Sequence, residues 1–150
     1  MKRAVFPGSF DPITLGHQDI INKGLRVFDE IIIGIGENSD KKYMFSAEKR
    51  FEFVSTTFDK IKKIDVKCYS GLTVDFCKEN DAQFIIRGLR NPADFEFEKS
   101  IALTNREMTG IETIFFLTDS KNSFISSSVV RDLIKNKGDY KLFIPKGLSI

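Results

Sequence analysis

His17 is the only histidine of the chain, and it closes the run Thr14-Leu15-Gly16-His17. Just ahead of it lies Pro7-Gly8-Ser9-Phe10-Asp11-Pro12, a turn-forming stretch that follows a short apolar strand. Gly8 and Gly16 let the backbone approach a ligand without a Cβ in the way. The free N–H groups at a helix start favour an anion. A histidine placed there suits donation of a hydrogen bond or positive charge to a phosphate whose charge builds during transfer. Ser9 adds a hydroxyl and an N–H at the same turn. Asp11 suits a local tie within the turn, because Asp-Pro readily bonds its own backbone.

Three further clusters carry groups suited to phosphate. Ser123-Phe124-Ile125-Ser126-Ser127-Ser128 opens a helix with hydroxyls and N–H groups, and Arg131 follows within the first turns. Alone, those serines also fit a redundant helix cap. Arg87-Gly88-Leu89-Arg90 reads as a loop with two forked donors, Gly88 serving a tight turn. Lys41-Lys42 is a weaker pair, as is Glu98 among Asp94 and Glu96, acids that solvent or salt bridges also explain. Gly34-x-Gly36 lacks the third glycine of a dinucleotide fingerprint, and the P-loop pattern is absent. A single histidine leaves no histidine-rich metal site.

Five β-branched runs must position these clusters: Lys2–Phe6, Glu30–Ile35, Asp65–Tyr69, Gln83–Arg87 and Thr113–Thr118. Helical periodicity separates them. It predicts helices over His17–Phe28, after Ser46 with Phe51, Val54 and Phe58 buried, over Leu72–Asn80, over Asp94–Thr109 ending at Gly110, and over Ser126–Lys137 ending at Gly138. The segment Asp139–Ile150 stays unassigned. Repeated strand–helix alternation predicts one α/β domain over residues 1–150, Rossmann-like, with a five-stranded parallel sheet and helices on both faces. In such sheets ligands bind beyond the carboxyl ends of the strands, where every polar cluster falls.

The chain has 150 residues, 41% hydrophobic and 29% charged, with a formal net charge of +2. That charge is too small to argue for nucleic acid, and the 15 phenylalanines fit a core better than a base-stacking surface. No signal segment or bilayer-length apolar run is evident. Cys68 and Cys77 fit a reduced, cytoplasmic protein.

Thr14-Leu15-Gly16-His17 and Ile125-Ser126-Ser127-Ser128-Val129-Val130-Arg131 together resemble the T/H-x-G-H and I-S-S-[ST]-x-x-R signatures of the nucleotidylyltransferase superfamily. Phe6–Pro12, Lys41-Lys42-x-Met44-Phe45 and Ile86–Arg90 through Asp94-Phe95-Glu96 are similar to bacterial phosphopantetheine adenylyltransferases. The likeness runs from Lys2 to about Gly138. It implies transfer of AMP from ATP to 4′-phosphopantetheine, giving dephospho-coenzyme A and pyrophosphate, with Mg²⁺ on the triphosphate.

Carried over, it makes His17, Lys41 and Arg90 catalytic. ATP would meet Ser9, Phe10, His17, Gly88, Leu89, Arg90, Glu98 and the stretch Asn122, Ser123, Phe124, Ile125, Ser126, Ser127 and Ser128. Phosphopantetheine would meet Ser9, Lys41, Thr73 and Arg87. A homohexamer and coenzyme A as a feedback ligand are also implied, with no nucleic-acid or membrane partner. Three positions depart from the pattern: Ser9 replaces a usual threonine, Phe97 a frequent tyrosine, and Asn122 a tryptophan found in some members. The chain also ends soon after the last helix. Two other readings remain: a transferase for another phosphate acceptor, and a nucleotide-binding regulator without turnover.

Overall fold

The computed structural model describes residues 1–150 throughout. Its strands are β1 (Arg3–Gly8), β2 (Glu30–Gly36), β3 (Ile64–Tyr69), β4 (Phe84–Leu89) and β5 (Glu112–Leu117), and its helices α1 (Leu15–Gly24), α2 (Ala47–Phe58), α3 (Thr73–Glu79), α4 (Pro92–Thr109) and α5 (Ser127–Lys135). All five strands run parallel in the order β3-β2-β1-β4-β5. The single-domain α/β expectation holds.

Alternation along each strand sends side chains to two cores. Ala4, Phe6, Ile31, Ile33, Ile35 and Ile86 face one side, where α1 adds Ile20 and Ile21 and α2 adds Phe53, Val54 and Phe58. Val5, Ile32 and Ile85 face the other side with Val74, Phe76 and Cys77 of α3. Burying a side chain of this kind contributes about 1.5–3 kcal/mol, and both strand faces are covered.

The connections reverse direction at β1: β2 and β3 lie on one side of it, β4 and β5 on the other. A crevice forms at such a switch point. Here the sequence widens it. β1 pairs with β2 from Arg3 to Gly8, but with β4 only at Ala4 and Val5. Pro7 has no N–H to extend the β4 ladder, and its carbonyl instead accepts from Arg87 Nη1 at 2.8 Å.

The structure corrects several local expectations. β1 continues through Pro7 to Gly8, because its remaining pairing partner is β2. α1 starts at Leu15, capped by Thr14, so His17 lies inside its first turn. Phe51 is exposed, and Phe53 takes the buried position in α2. Gly88 belongs to β4, and so do Arg87 and Leu89; only Arg90 lies beyond the strand. Gly88 is glycine for packing, since a Cβ there would sit 2.7 Å from Ile20 Cγ1 of α1. Likewise Gly34 lies inside β2, where a Cβ would meet the Phe76 ring at 2.7 Å. The segment after α5 forms a short 3-10 turn at Tyr140–Phe143, and Leu148 and Ile150 pack against the first core.

Candidate active site

Two cavities open at the carboxyl edge of the sheet. The first, of about 440 Å³, lies between α4 and the ends of β1, β2 and β3, lined by Tyr69, Thr73, Phe97, Glu98, Ile101 and Asn105 among others. The second, of about 350 Å³, lies between the starts of α1 and α5, lined by Phe10, His17, Gly88, Arg90, Ile125 and Ser126–Ser128 among others. Pro7, Gly8, Ser9, Lys41 and Arg87 line both. One wall thus serves two compartments.

His17 sits in the second. The Thr14 N–H donates to its Nδ1 at 3.0 Å, and the Thr14 hydroxyl lies 3.2 Å from the same nitrogen. With Nδ1 accepting, Nε2 is the nitrogen that carries hydrogen in the neutral ring. The ring packs against Phe10 at 4.9 Å and Phe6 at 6.2 Å between centroids, with one edge left to the cavity. Burial, with Arg87 and Arg90 adding positive charge nearby, pushes its pKa down to about 4. At neutral pH the ring is an uncharged donor.

Cations surround it. Arg87 is fixed in place, donating Nε to Glu98 Oε2 at 3.0 Å and Nη2 to Oε1 at 2.7 Å while Nη1 holds Pro7. Lys41 Nζ reaches Ser9 Oγ at 3.0 Å. Arg90 bonds Asp94 through its N–H at 2.9 Å. Arg131 also lines the cavity and ties the turn to α5, donating to the Asp11 carbonyl at 2.9 Å and to Ser128 Oγ at 3.1 Å. Ser126 caps α5 by accepting from Val129 N–H, and the Ser127 hydroxyl donates to Pro12 O at 2.9 Å. The α5 start is therefore locked to the turn before α1.

Most of the expected residues converge. Ser9, Phe10, His17, Lys41, Arg87, Gly88, Arg90, Ile125, Ser126, Ser127 and Ser128 line the second cavity. Glu98 and Thr73 line the first, so Glu98 stands apart from His17 and the serines, paired to Arg87. Leu89, Asn122, Ser123 and Phe124 line neither cavity; Phe124 is exposed and packs edge-on against Phe143. Asp11 does more than a local tie. Its buried carboxylate accepts from Met44 N–H at 2.8 Å and Phe45 N–H at 2.9 Å, anchoring the loop that carries Lys41.

Sequence reasoning missed Tyr43 and Arg50. Tyr43 lines the first cavity, and buried Arg50 lies beneath it, its guanidinium carbon 3.9 Å from the ring centroid. An arginine four residues before Val54 and eight before Phe58, on the apolar stripe expected of that helix, was the available signal.

A helix-start serine cluster, an N-terminal glycine turn and a neutral histidine donor define a nucleotidyl-transfer site on a Rossmann-like sheet. Residues 5–133 match the model of the cytidylyltransferase-like family, and the chain belongs to it. A phosphopantetheine adenylyltransferase of Flavobacterium psychrophilum is 58% identical, over 100% of this chain and 99% of the relative. One of Bacteroides fragilis is 44% identical over all of both chains. At that similarity the chain sits among the phosphopantetheine adenylyltransferases. Among solved structures, a bifunctional NMN adenylyltransferase/ADP ribose pyrophosphatase of Francisella tularensis superposes with a TM-score of 0.76 at 16% identity, covering 97% of this chain and 45% of the other. That likeness shows the fold.

Proposed function

We propose that this protein transfers the AMP unit of ATP to 4′-phosphopantetheine, forming dephospho-coenzyme A and pyrophosphate, in coenzyme A biosynthesis. The observation that carries this reading is the shared wall of Pro7, Gly8, Ser9, Lys41 and Arg87 between two cavities. The triphosphate occupies the His17 side, and the pantetheine arm occupies the side lined by Tyr69, Thr73 and Ile101. The two reacting phosphates meet at the wall.

A phosphate oxygen of the acceptor attacks the α-phosphorus, a new P–O bond forms, and the bond to the bridging oxygen breaks with pyrophosphate leaving. The acceptor is already an anion, so no proton has to be removed and no general base is needed. The protein positions two anions and stabilises the charge that builds between them. Neutral His17 Nε2–H donates to the α-phosphate, Lys41 and Arg90 supply positive charge, and the α5 start supplies N–H groups. Arg87, held by Glu98, aligns the acceptor.

Mg²⁺ comes with the triphosphate. No group of three His, Cys, Asp or Glu side chains gathers to hold a metal, and the Asp11 carboxylate is occupied by Met44 and Phe45. In this reading the nucleotide phosphates supply most of the ligands of Mg²⁺, as is usual for that ion. The enzyme acts in the cytoplasm, where ATP is supplied. Coenzyme A, built on the product, would enter the same cavities as a feedback ligand. A homohexamer is favoured by α4, which buries no residue within the chain although it carries Phe95, Phe97, Ile101, Leu103 and Met108.

The test is to mix protein, ATP, Mg²⁺ and 4′-phosphopantetheine, and to follow pyrophosphate and dephospho-coenzyme A together. Equal formation of both is expected, slowed by about 10²–10³ in His17→Ala. ATP binding with no product of either kind would instead favour a regulator, and turnover only with another phosphate would move the acceptor assignment.

A further inference from the structure

Arg50 is 1% exposed and heads the fully buried side chains, yet it forms no ion pair. The arginines that do, Arg3, Arg87, Arg90 and Arg106, lie outside the core. Arg50 bonds only backbone carbonyls: Nη1 donates to Ser9 O at 2.8 Å and Gly36 O at 3.0 Å, and Nε to Phe45 O at 3.3 Å. Tyr43 covers its face. A buried charge is tolerated when it is paired, and carbonyl dipoles with an aromatic face only partly fill that role.

Its three acceptors come from three separate segments. Ser9 follows β1, Gly36 ends β2, and Phe45 closes the loop that carries Lys41. These segments make up the acceptor side of the shared wall. Ser9, whose carbonyl Arg50 holds, also presents the Oγ that Lys41 reaches. This cation, with no carboxylate in ion-pair contact, therefore holds the carbonyl of the residue whose hydroxyl Lys41 reaches, at the wall where an incoming phosphate would rest.

We infer that Arg50 is a positioning residue for the acceptor's phosphate. It fixes Ser9, Gly36 and the Lys41 loop in one geometry, and its positive charge is balanced across the turn when that dianion binds. This inference rests on the acceptor reading given above. In low dielectric such an attraction is weakly screened, unlike that of exposed Lys41.

The experiment compares the affinities of 4′-phosphopantetheine and unphosphorylated pantetheine for the full-length protein, by calorimetry or ligand-observed NMR. Wild type is expected to prefer the phosphorylated ligand. Arg50→Met should lower that preference at least tenfold, about 1.4 kcal/mol, with pantetheine affinity unchanged within threefold. Arg50→Lys keeps a cation but loses the fork, and should lower the preference three- to fivefold. An unchanged preference in Arg50→Met, or equal loss of both ligands, overturns the inference and makes Arg50 a purely structural residue. If Arg50→Met does not fold, Arg50→Lys decides, and a wild-type preference in that variant overturns the inference. A wild type with no preference at all overturns the acceptor reading and the inference together.

Discussion

His17 acts as a neutral donor because the fold uses its other nitrogen and denies it a proton. Its pKa of about 4 lies below the ordinary 6.5. Between those values an unfolded chain binds a proton that the folded one does not, so stability falls as pH drops from 6.5 towards 4. The shift corresponds to at most about 3 kcal/mol. Urea melts at pH 7 and pH 4.5 should show that loss, and His17→Asn should flatten it. As the only histidine, His17 can also be titrated by NMR with no assignment problem. A midpoint near 6.5 in the free protein would show that the imidazole is not enclosed. In steady-state kinetics, His17→Ala should lower kcat by about 10²–10³, the scale of one oxyanion donor, with the KM for ATP within threefold. An equal loss in binding would remove the transition-state role. The position and partner chemistry of this residue were legible in the sequence, from a histidine behind a glycine turn. Its charge state was not, because it depends on Phe6, Phe10, Arg87 and Arg90, which come from separate parts of the chain.

Helices and strands show where local pattern stops being informative. Periodicity located all five strands and all five helices, since each carries apolar residues at the spacing of its element. It misjudged what ends them and what the glycines do. Pro7 read as a strand terminator, yet β1 passes through it because only the β4 side lacks a partner. Gly88 read as a turn residue, yet it is where α1 closes on β4, with Ile20 at 2.7 Å from an added Cβ. Gly88→Ala should therefore destabilise the protein by about 1–3 kcal/mol through overpacking, and Ile20→Val in the same chain should recover part of it. Chemical denaturation of both variants checks this, and a Gly88→Ala protein as stable as wild type would show that α1 yields freely. Asp11 gave no sign in sequence that its partners lie at Met44 and Phe45. Removing it frees the loop that presents Lys41, so Asp11→Ala should raise the acceptor KM more than the ATP KM.

The whole molecule leaves α4 with an apolar surface that nothing in the chain covers. Leu103 and Met108 stand open to solvent there, and apolar residues left exposed together on one helix suit an interaction surface. Sedimentation of the wild type should show a hexamer, and Leu103→Glu with Met108→Glu should yield smaller species that remain folded. A monomeric wild type would remove the assembly proposal and leave α4 without a partner. The alternation of strands and helices sufficed to foresee the sheet, but not that α4 would leave its apolar residues uncovered, because those residues look the same in sequence whether they face a core or a neighbour. The shared wall has a further consequence, for inhibitors. A compound confined to one cavity competes with one substrate and is escaped by changing residues that serve only that substrate. A compound spanning the wall would rest on Ser9, Lys41 and Arg87 at once, and in the proposed reaction each of those serves both substrates. Resistance to it would have to come at the expense of turnover.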